Sequence, residues 1–292
     1  MFVVSVFFIY TITKRTQMYL DFFKLKENPF NITSDPDFLY LSETHREALN
    51  HLMYGINERK GFIEITGEIG SGKTTICRAM LNSLPQGTKT SVIFNSSLPE
   101  IQLLEAILLD FGLTPERRSK VMFFKALNSF LLEQLALNNN VILVIDEAQN
   151  LKNTALETIR MLSNLETEKE KLMQIILIGQ PELRDKLNSP DLRQLKQRIS
   201  VSFHLNALSP DEVKEYIAHR LRIAGSGYNI FFEDAALDLV AGYSKGIPRV
   251  INTICDKALL MGYACNTNRL TSETILRTIN EMNGQFLPVP QE

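Results

Sequence analysis

The sequence predicts an α/β fold in which a parallel five-stranded sheet flanked by helices is followed by a small all-helical domain. Five short apolar segments alternate with amphipathic helical segments between residues 62 and 205, and this alternation is typical of a parallel sheet with crossover helices. A glycine-rich stretch, residues 67–74, lies between the first predicted strand and the helix that follows. Beyond residue 207 only helical periodicity continues.

The glycine-rich stretch reads GEIGSGKT and fits the phosphate-loop pattern G-x-x-x-x-G-K-[ST]. Backbone N–H groups of such a loop converge on one point, and the positive end of the following helix adds to their attraction for phosphate. The pattern assigns Lys73 to the β- and γ-phosphates of ATP and the Thr74 hydroxyl to Mg²⁺. A glycine-rich turn that binds nothing is the alternative, and the flanking strand and helix argue against it. The predicted nucleotide-binding residues of this stretch are Gly67, Glu68, Ile69, Gly70, Ser71, Gly72, Lys73, Thr74 and Thr75.

A second motif is the strand Val141–Ile145, which is entirely apolar and ends in Asp146 and Glu147. An uninterrupted apolar strand is typical of a central parallel strand that is buried on both faces. Asp146 is predicted to orient the Mg²⁺ shell, and Glu147 to polarise the attacking water. A strand that merely ends in a solvated acidic turn is the alternative. After a phosphate loop, however, carboxylates at a strand end point to the same crevice.

Two other positions in the α/β part are singled out. Gln180 follows the apolar strand at residues 172–179 and is placed to contact the γ-phosphate or the water, with a simple turn residue as an equal alternative. Arg198 lies on a basic surface before the fifth strand, where most arginines are only solvated charges. His204, alone within that strand, is predicted to be structural.

Composition limits the classes of protein that the chain can represent. The 292 residues of the chain suffice for one large or two small domains. With a net charge of −2, the chain as a whole has no excess of positive charge that would attract nucleic acid or anionic membranes. Cys77, Cys255 and Cys265 lack the spacing of a disulfide framework or a zinc site. Cys77 and Cys255 fall in apolar helical patterns and are predicted to be core residues. A reducing cytoplasm is the expected setting.

The domain boundaries are predicted as 1–17, 18–206, 207–284 and 285–292. Residues 1–17 begin with an apolar run that is too short to span a bilayer, so we expect a disordered tail or a misassigned start, with a membrane-surface anchor as the alternative. The aromatic-rich residues 18–60 are expected to cover one edge of the core, and also to wall the adenine pocket. Residues 207–284 form the helical domain, and residues 285–292 a frayed tail.

Arg249 lies in the first turn of a helix in this domain, where the helix dipole disfavours a cation. We therefore expect it to meet an anion, namely the nucleotide phosphate.

Taken together, these motifs and the arginine-bearing helical domain resemble an AAA+ ATPase over about residues 18–284. Within that class the chain is similar to the general secretion pathway protein A (ExeA-like) family, and most similar in pattern to its MSHA pilus-biogenesis members. The stretches that carry this resemblance are MYLDFF at 18–23, NPF at 28–30, IGQPEL at 178–183, LKQR at 195–198 and GIPR at 246–249.

The resemblance implies a P-loop NTPase (AAA+) sheet with a helical lid, assembled into a nucleotide-dependent homo-oligomer. It implies Gln180 as sensor 1, Arg198 as an arginine finger acting on a neighbouring subunit, and Arg249 as sensor 2. It also implies a role in assembling a type IV pilus or type II secretion apparatus in the bacterial envelope. Some relatives carry a transmembrane segment and a peptidoglycan-binding domain after the ATPase, and neither is carried over to this chain.

The sequence therefore predicts an ATPase that uses ATP and Mg²⁺, located in the cytoplasm, with peripheral association at the inner membrane as an open alternative. The main functional alternative is a DNA-associated AAA+ ATPase of the transposition or initiator type. The net charge and the lack of a helix-turn-helix pattern after the helical domain argue against it. A scaffold that binds ATP without hydrolysing it is disfavoured by Glu147.

Overall fold

A computed structural model describes residues 19–32, 36–94, 97–168, 170–227 and 229–284. The expectations for residues 1–17 and 285–292 lie outside these ranges. The chain divides into two compact units: one is Glu43–Asn206, and the other combines the chain up to Ser42 with the chain from Ala207 onward. Within the described ranges, every helix is too short or too polar to cross a bilayer.

The Glu43–Asn206 unit is built on a five-stranded sheet with the order β2-β3-β4-β1-β5. Each neighbouring pair is parallel, which confirms the predicted parallel sheet. Because β1 lies next to β4, and β4 next to β3, the carboxyl ends of these three strands meet at one edge of the sheet. The strands are β1 (Phe62–Gly67), β2 (Lys89–Ile93), β3 (Val141–Ile145), β4 (Gln174–Gly179) and β5 (Ile199–Leu205).

Helices cover both faces of this sheet. Along β3, Leu143 and Ile145 belong to one buried apolar cluster, whereas Ile142 and Val144 belong to another. Successive strand residues point to opposite faces, so β3 is buried on both sides, as its apolar sequence predicts. The helices are α1 (Glu43–Asn57), α2 (Lys73–Asn82), α3 (Glu100–Asp110), α4 (Lys120–Ala136), α5 (Asn153–Leu162), α6 (Pro181–Leu187) and α7 (Arg193–Lys196).

The second unit is helical, as predicted, with the addition of two short paired strands. The helix that starts at Pro210 begins where the sequence indicates, because Ser209 and Glu212 form a capping box at that point. The strands β6 (Phe231–Phe232) and β7 (Arg269–Leu270) pair in parallel, and two residues are too few to produce a detectable period. The helices are α8 (Pro210–Ile223), α9 (Asp234–Ser244), α10 (Pro248–Ala264) and α11 (Ser272–Met282).

The described residues between 19 and 42, here called the N-terminal strap, belong to this helical unit. Phe23, Phe30 and Phe38 are buried in its apolar core. The predicted division, which grouped residues 18–42 with the sheet, therefore differs from the observed one. The density of aromatic residues indicated a packing segment correctly, but it carried no information about which partner the strap covers.

Polar contacts fasten the strap to the same unit. The Arg220 guanidinium donates to the carbonyl of Pro29, and it also donates to the carbonyl of Asn31 at 3.2 Å. Asp256 accepts hydrogen bonds at 3.0 Å from the Tyr19 hydroxyl and from the Asn28 amide. Carbonyl groups of the strap and a carboxylate of the helices therefore obtain hydrogen-bond partners from each other.

Candidate nucleotide-binding site

The glycine-rich loop connects β1 to α2, so the strand and the helix that the sequence predicts around it are both present. Gly70 and Gly72 have φ values of 80° and 100°, which lie in the left-handed region that glycine adopts without strain. A Cβ atom at Gly67 would lie 2.8 Å from the Ser71 Oγ atom. The loop is therefore so tightly curled that side chains at these glycines would strain or block it.

Lys73 is buried and points back into the loop. Its Nζ atom donates to the carbonyl oxygens of Gly67 and Glu68, each at 2.8 Å. Burial lowers the pKa of the Lys73 ammonium, while the nearby Glu147 and Asp146 carboxylates act in the opposite direction.

Ser71 Oγ is also buried, and in the described part of the chain it has no hydrogen-bond partner. The loop thus holds a cation and an unpaired hydroxyl. Of the other predicted loop residues, Glu68 and Ile69 are exposed and Thr75 is half-buried.

The acidic end of β3 meets the start of α2. The Thr74 hydroxyl donates to Asp146 Oδ2 at 3.1 Å, and the Glu147 backbone N–H donates to Asp146 Oδ1 at 2.9 Å. Burial raises the pKa of Asp146, and both of these hydrogen bonds counteract that increase. A carboxylate and a hydroxyl brought together in this way are the hard oxygen donors that Mg²⁺ prefers, so the residues present fit that metal.

Glu147 is the first residue after this carboxylate and has a left-handed backbone, with φ 53°. Its Oε2 atom accepts hydrogen bonds from Gln149 Nε2 at 2.5 Å and from Gln180 Nε2 at 3.1 Å. Gln149 Oε1 accepts from the backbone N–H of Gln180 at 3.1 Å. The structure therefore brings Gln180, which follows β4, to the carboxylate of Glu147.

Two residues of the site escaped the sequence analysis. Gln149 lies two positions after Glu147 in a short 3-10 turn, and an amide so close to the acidic pair was the signal that could have identified it. His45, from α1, places its Nε2 atom 3.1 Å from the carbonyl oxygen of Ser71. The 26 positions between these two residues leave no local pattern that connects them.

The two predicted arginines belong to different units. Arg198 Nη1 donates to Ser163 Oγ at 2.6 Å and to the Arg160 carbonyl at 3.4 Å, at the carboxyl end of α5. Arg249 is exposed in the first turn of α10, within the helical unit. His204, predicted to be structural, contacts the Thr66 hydroxyl through Nδ1 at 3.0 Å.

The chain matches known proteins in its sequence. A family model described as an AAA domain matches residues 56–187. The general secretion pathway protein A of Aeromonas hydrophila is 43% identical over 268 residues, which cover 91% of this chain and 49% of that protein. The chain thus spans about half the length of this curated relative.

Solved structures with the same fold share little sequence with the chain. The ORC2 protein of Aeropyrum pernix, in its ADPNP–ADP complexes, has a TM-score of 0.62 and 17% identity, covering 87% of this chain and 71% of its own. Cdc6p of Pyrobaculum aerophilum has a TM-score of 0.64 and 16% identity, with 88% and 73% covered. The RuvB branch migration motor of Thermotoga maritima has a TM-score of 0.53 and 19% identity, with 83% and 70% covered.

At 16–17% identity, the likeness to ORC2 and Cdc6p establishes the fold alone. The identity to the general secretion pathway protein A is far higher, at 43%, and extends over 91% of the chain. That identity lies on a parallel sheet with the AAA+ architecture and includes the stretch matched as an AAA domain. The chain therefore belongs to the AAA+ ATPases of the general secretion pathway protein A (ExeA-like) family.

Proposed function

We propose that the chain binds ATP with Mg²⁺ and hydrolyses it to ADP and phosphate. The observation that carries this proposal is the 3.1 Å contact between the Thr74 hydroxyl and Asp146. It joins the phosphate loop to the acidic strand end, next to Lys73 and Glu147, although 72 positions separate the two residues. A loop that bound nothing, or an acidic turn that was only solvated, would not require this contact.

The electrostatics of the site support the same ligand. Burial disfavours the charged forms of both Lys73 and Asp146, since it lowers the pKa of the first and raises that of the second. A ligand that brings negative charge to the lysine and positive charge to the carboxylate would favour both charged forms again. ATP with Mg²⁺ carries charges of both signs.

Each residue then has a defined role. Lys73 and the loop amides bind the phosphates, and Thr74 with Asp146 would hold Mg²⁺, which neutralises phosphate charge when bound. Glu147 orients the attacking water and receives its proton. Gln180 and Gln149 hold the carboxylate of Glu147 in place through their amide donors.

The two arginines complete this proposal. Arg198 acts on the nucleotide of a neighbouring protomer in a homo-oligomer, as arginine fingers supplied in trans do. Arg249 couples the helical unit to the nucleotide. The family resemblance supports both roles, and for Arg249 so does its position in the first turn of α10.

We further propose that hydrolysis drives or regulates assembly of an envelope machine, either a type IV or MSHA-like pilus or a type II secretion apparatus. The support is the 43% identity to a protein named for the general secretion pathway. The partners would be further copies of this chain and components of the pilus or secretion apparatus. The protein would act in the cytoplasm, with peripheral association at the inner membrane as the alternative.

Replacing Lys73 with alanine is expected to abolish tight ATP binding, because Lys73 is the cation of the loop. Isothermal titration calorimetry with ATP and Mg²⁺ measures this effect directly. Lys125→Ala, which removes an exposed lysine of α4, is the matched control and should bind as the unaltered chain does. Equal affinity in Lys73→Ala would contradict the proposed site.

The DNA-associated alternative predicts a different binding property. A protein that contacts several phosphates of duplex DNA loses affinity steeply as salt rises. Filter binding to duplex DNA at two salt concentrations separates the two proposals. We expect no salt-sensitive binding, in keeping with the net charge of −2.

A further inference from the structure

His45 contacts the phosphate loop at the point where the loop becomes a helix. The residue lies in the first turn of α1 and is only 4% exposed. Its Nε2 atom is 3.1 Å from the Ser71 carbonyl oxygen. A carbonyl oxygen can only accept a hydrogen bond, so Nε2 carries a hydrogen and donates it.

The same imidazole also packs against the next residue of the loop. A Cβ atom at Gly72 would lie 2.6 Å from His45 Nε2, and Gly72 already has a φ of 100°. His45 therefore fills the space that a side chain at position 72 would occupy. These two contacts fall on the two residues immediately before Lys73.

The hydrogen bond to the Ser71 carbonyl also determines the direction of the Gly72 N–H group. The Ser71–Gly72 peptide is trans, because the described chain contains no cis peptide bond. In a trans peptide the C=O and N–H groups point in opposite directions. A hydrogen bond from His45 to the Ser71 carbonyl thus directs the Gly72 N–H to the opposite side. The loop pattern requires its N–H groups to face the phosphates.

This restraint matters because glycine makes the loop easy to rearrange. Glycine populates positive and negative φ about equally well. Rotation of the Ser71–Gly72 peptide therefore meets a lower steric barrier than it would if another residue type stood at position 72. Lys73 cannot provide the restraint, since its ammonium contacts the carbonyls of Gly67 and Glu68 instead. Among the described side-chain contacts, His45 is the donor to Ser71.

We propose that His45 is a positioning residue for nucleotide binding, which locks the Ser71–Gly72 peptide so that the Gly72 N–H faces the phosphates. The inference rests on the proposed binding of ATP at this loop. It requires a donor at the Nε2 position rather than an aromatic ring or a charge. The loss of this donor should therefore weaken nucleotide binding while the chemical step stays intact.

Two substitutions in the full chain separate the donor from the ring. In His45→Gln the side-chain amide nitrogen lies at about the distance of Nε2, so the hydrogen bond is kept. In His45→Phe the ring is kept and the donor is lost. Titration with a fluorescent ADP analogue in the presence of Mg²⁺ gives the affinity, and steady-state assays give KM and kcat for ATP.

We expect His45→Gln to bind within about threefold of the unaltered chain, and His45→Phe to bind roughly tenfold more weakly. The KM of His45→Phe should rise while kcat remains unchanged. Equal affinities in all three proteins, or equal losses in both variants, would overturn the proposal.

Folding and the broader proposal are tested separately. Thermal melts followed by circular dichroism show whether each variant is folded at the assay temperature. If His45→Phe is not, His45→Asn takes its place, because its shorter side chain also withdraws the donor, and the same outcomes apply. If the unaltered chain binds no nucleotide, or binds it equally well after Lys73→Ala, the proposed function fails. If binding depends on Lys73 but not on the donor at position 45, only the present inference fails.

Discussion

Replacing Glu147 with glutamine is expected to leave ATP bound while slowing its hydrolysis by about 10²–10⁴-fold, which is the usual contribution of a general base. The structure shows why the substitution should be so selective. Glu147 Oε2 accepts hydrogen bonds from the Gln149 and Gln180 side-chain amides. A glutamine at position 147 can present its own oxygen to both donors, so the geometry is retained and only the proton acceptor is lost.

The measurement pairs two assays on the same protein. Phosphate release gives kcat, and titration with a fluorescent nucleotide gives the affinity. Glu133→Gln, which neutralises an exposed carboxylate of α4, is the matched control and should keep full activity. A decrease in turnover of less than several-fold would show that Glu147 does not orient the water.

Replacing Arg198 with alanine is expected to leave nucleotide binding nearly unchanged and to lower hydrolysis by roughly 10³–10⁵-fold, as the loss of a trans-acting arginine finger does. The guanidinium lies outside the phosphate loop and contacts Ser163 and the Arg160 carbonyl of its own chain. These contacts offer a competing role, in which Arg198 only stabilises the end of α5 through the Ser163 hydroxyl and the Arg160 carbonyl.

Ser163→Ala distinguishes the two roles within one protomer. It removes the 2.6 Å contact but leaves the guanidinium available to a neighbour. For a finger acting in trans, this variant should hydrolyse ATP normally and lose only about 1 kcal/mol of stability. Equal losses of activity in Ser163→Ala and Arg198→Ala would assign Arg198 to its own chain.

A mixing experiment tests the action in trans directly. Arg198→Ala subunits can hold ATP but lack the finger, whereas Lys73→Ala subunits have the finger but cannot hold ATP. In an assembly that tolerates empty subunits, a mixture of these two inactive proteins should regain activity that depends on total concentration. Full activity of Arg198→Ala alone would remove the assignment.

The motifs that sequence reasoning identified share one property: their chemistry is encoded locally. The apolar run of β3 indicates burial on both faces. The two carboxylates at its end lie at the same edge of the sheet as the loop that follows β1. Gln180 was found for the same reason, because a polar residue after an apolar strand reaches the same edge of a parallel sheet. Its contact with Glu147 is one consequence of that topology.

Two of the features that sequence reasoning missed depend on contacts between distant segments. His45 looks like any polar residue in the first turn of an amphipathic helix, and only the folded chain shows that it reaches Ser71. The strap aromatics predict burial but do not name their partner, which proved to be the helical unit. The strands β6 and β7 contain two residues each, so they leave no period to detect.

The position of the strap in the sequence determines when it can fold during synthesis. Tyr19 and its partner Asp256 are 237 positions apart, so at about 5–20 residues per second the partner is synthesised on the order of tens of seconds later. The whole sheet-bearing unit leaves the ribosome in that interval, while Phe23 and Phe30 still lack the core that buries them. We infer that the strap stays unpacked on the nascent chain until the helices of its own unit have been synthesised. Limited proteolysis of ribosome-arrested chains that end before α10 should cut the strap and spare residues 43–206, and a protected strap at that stage would contradict this inference.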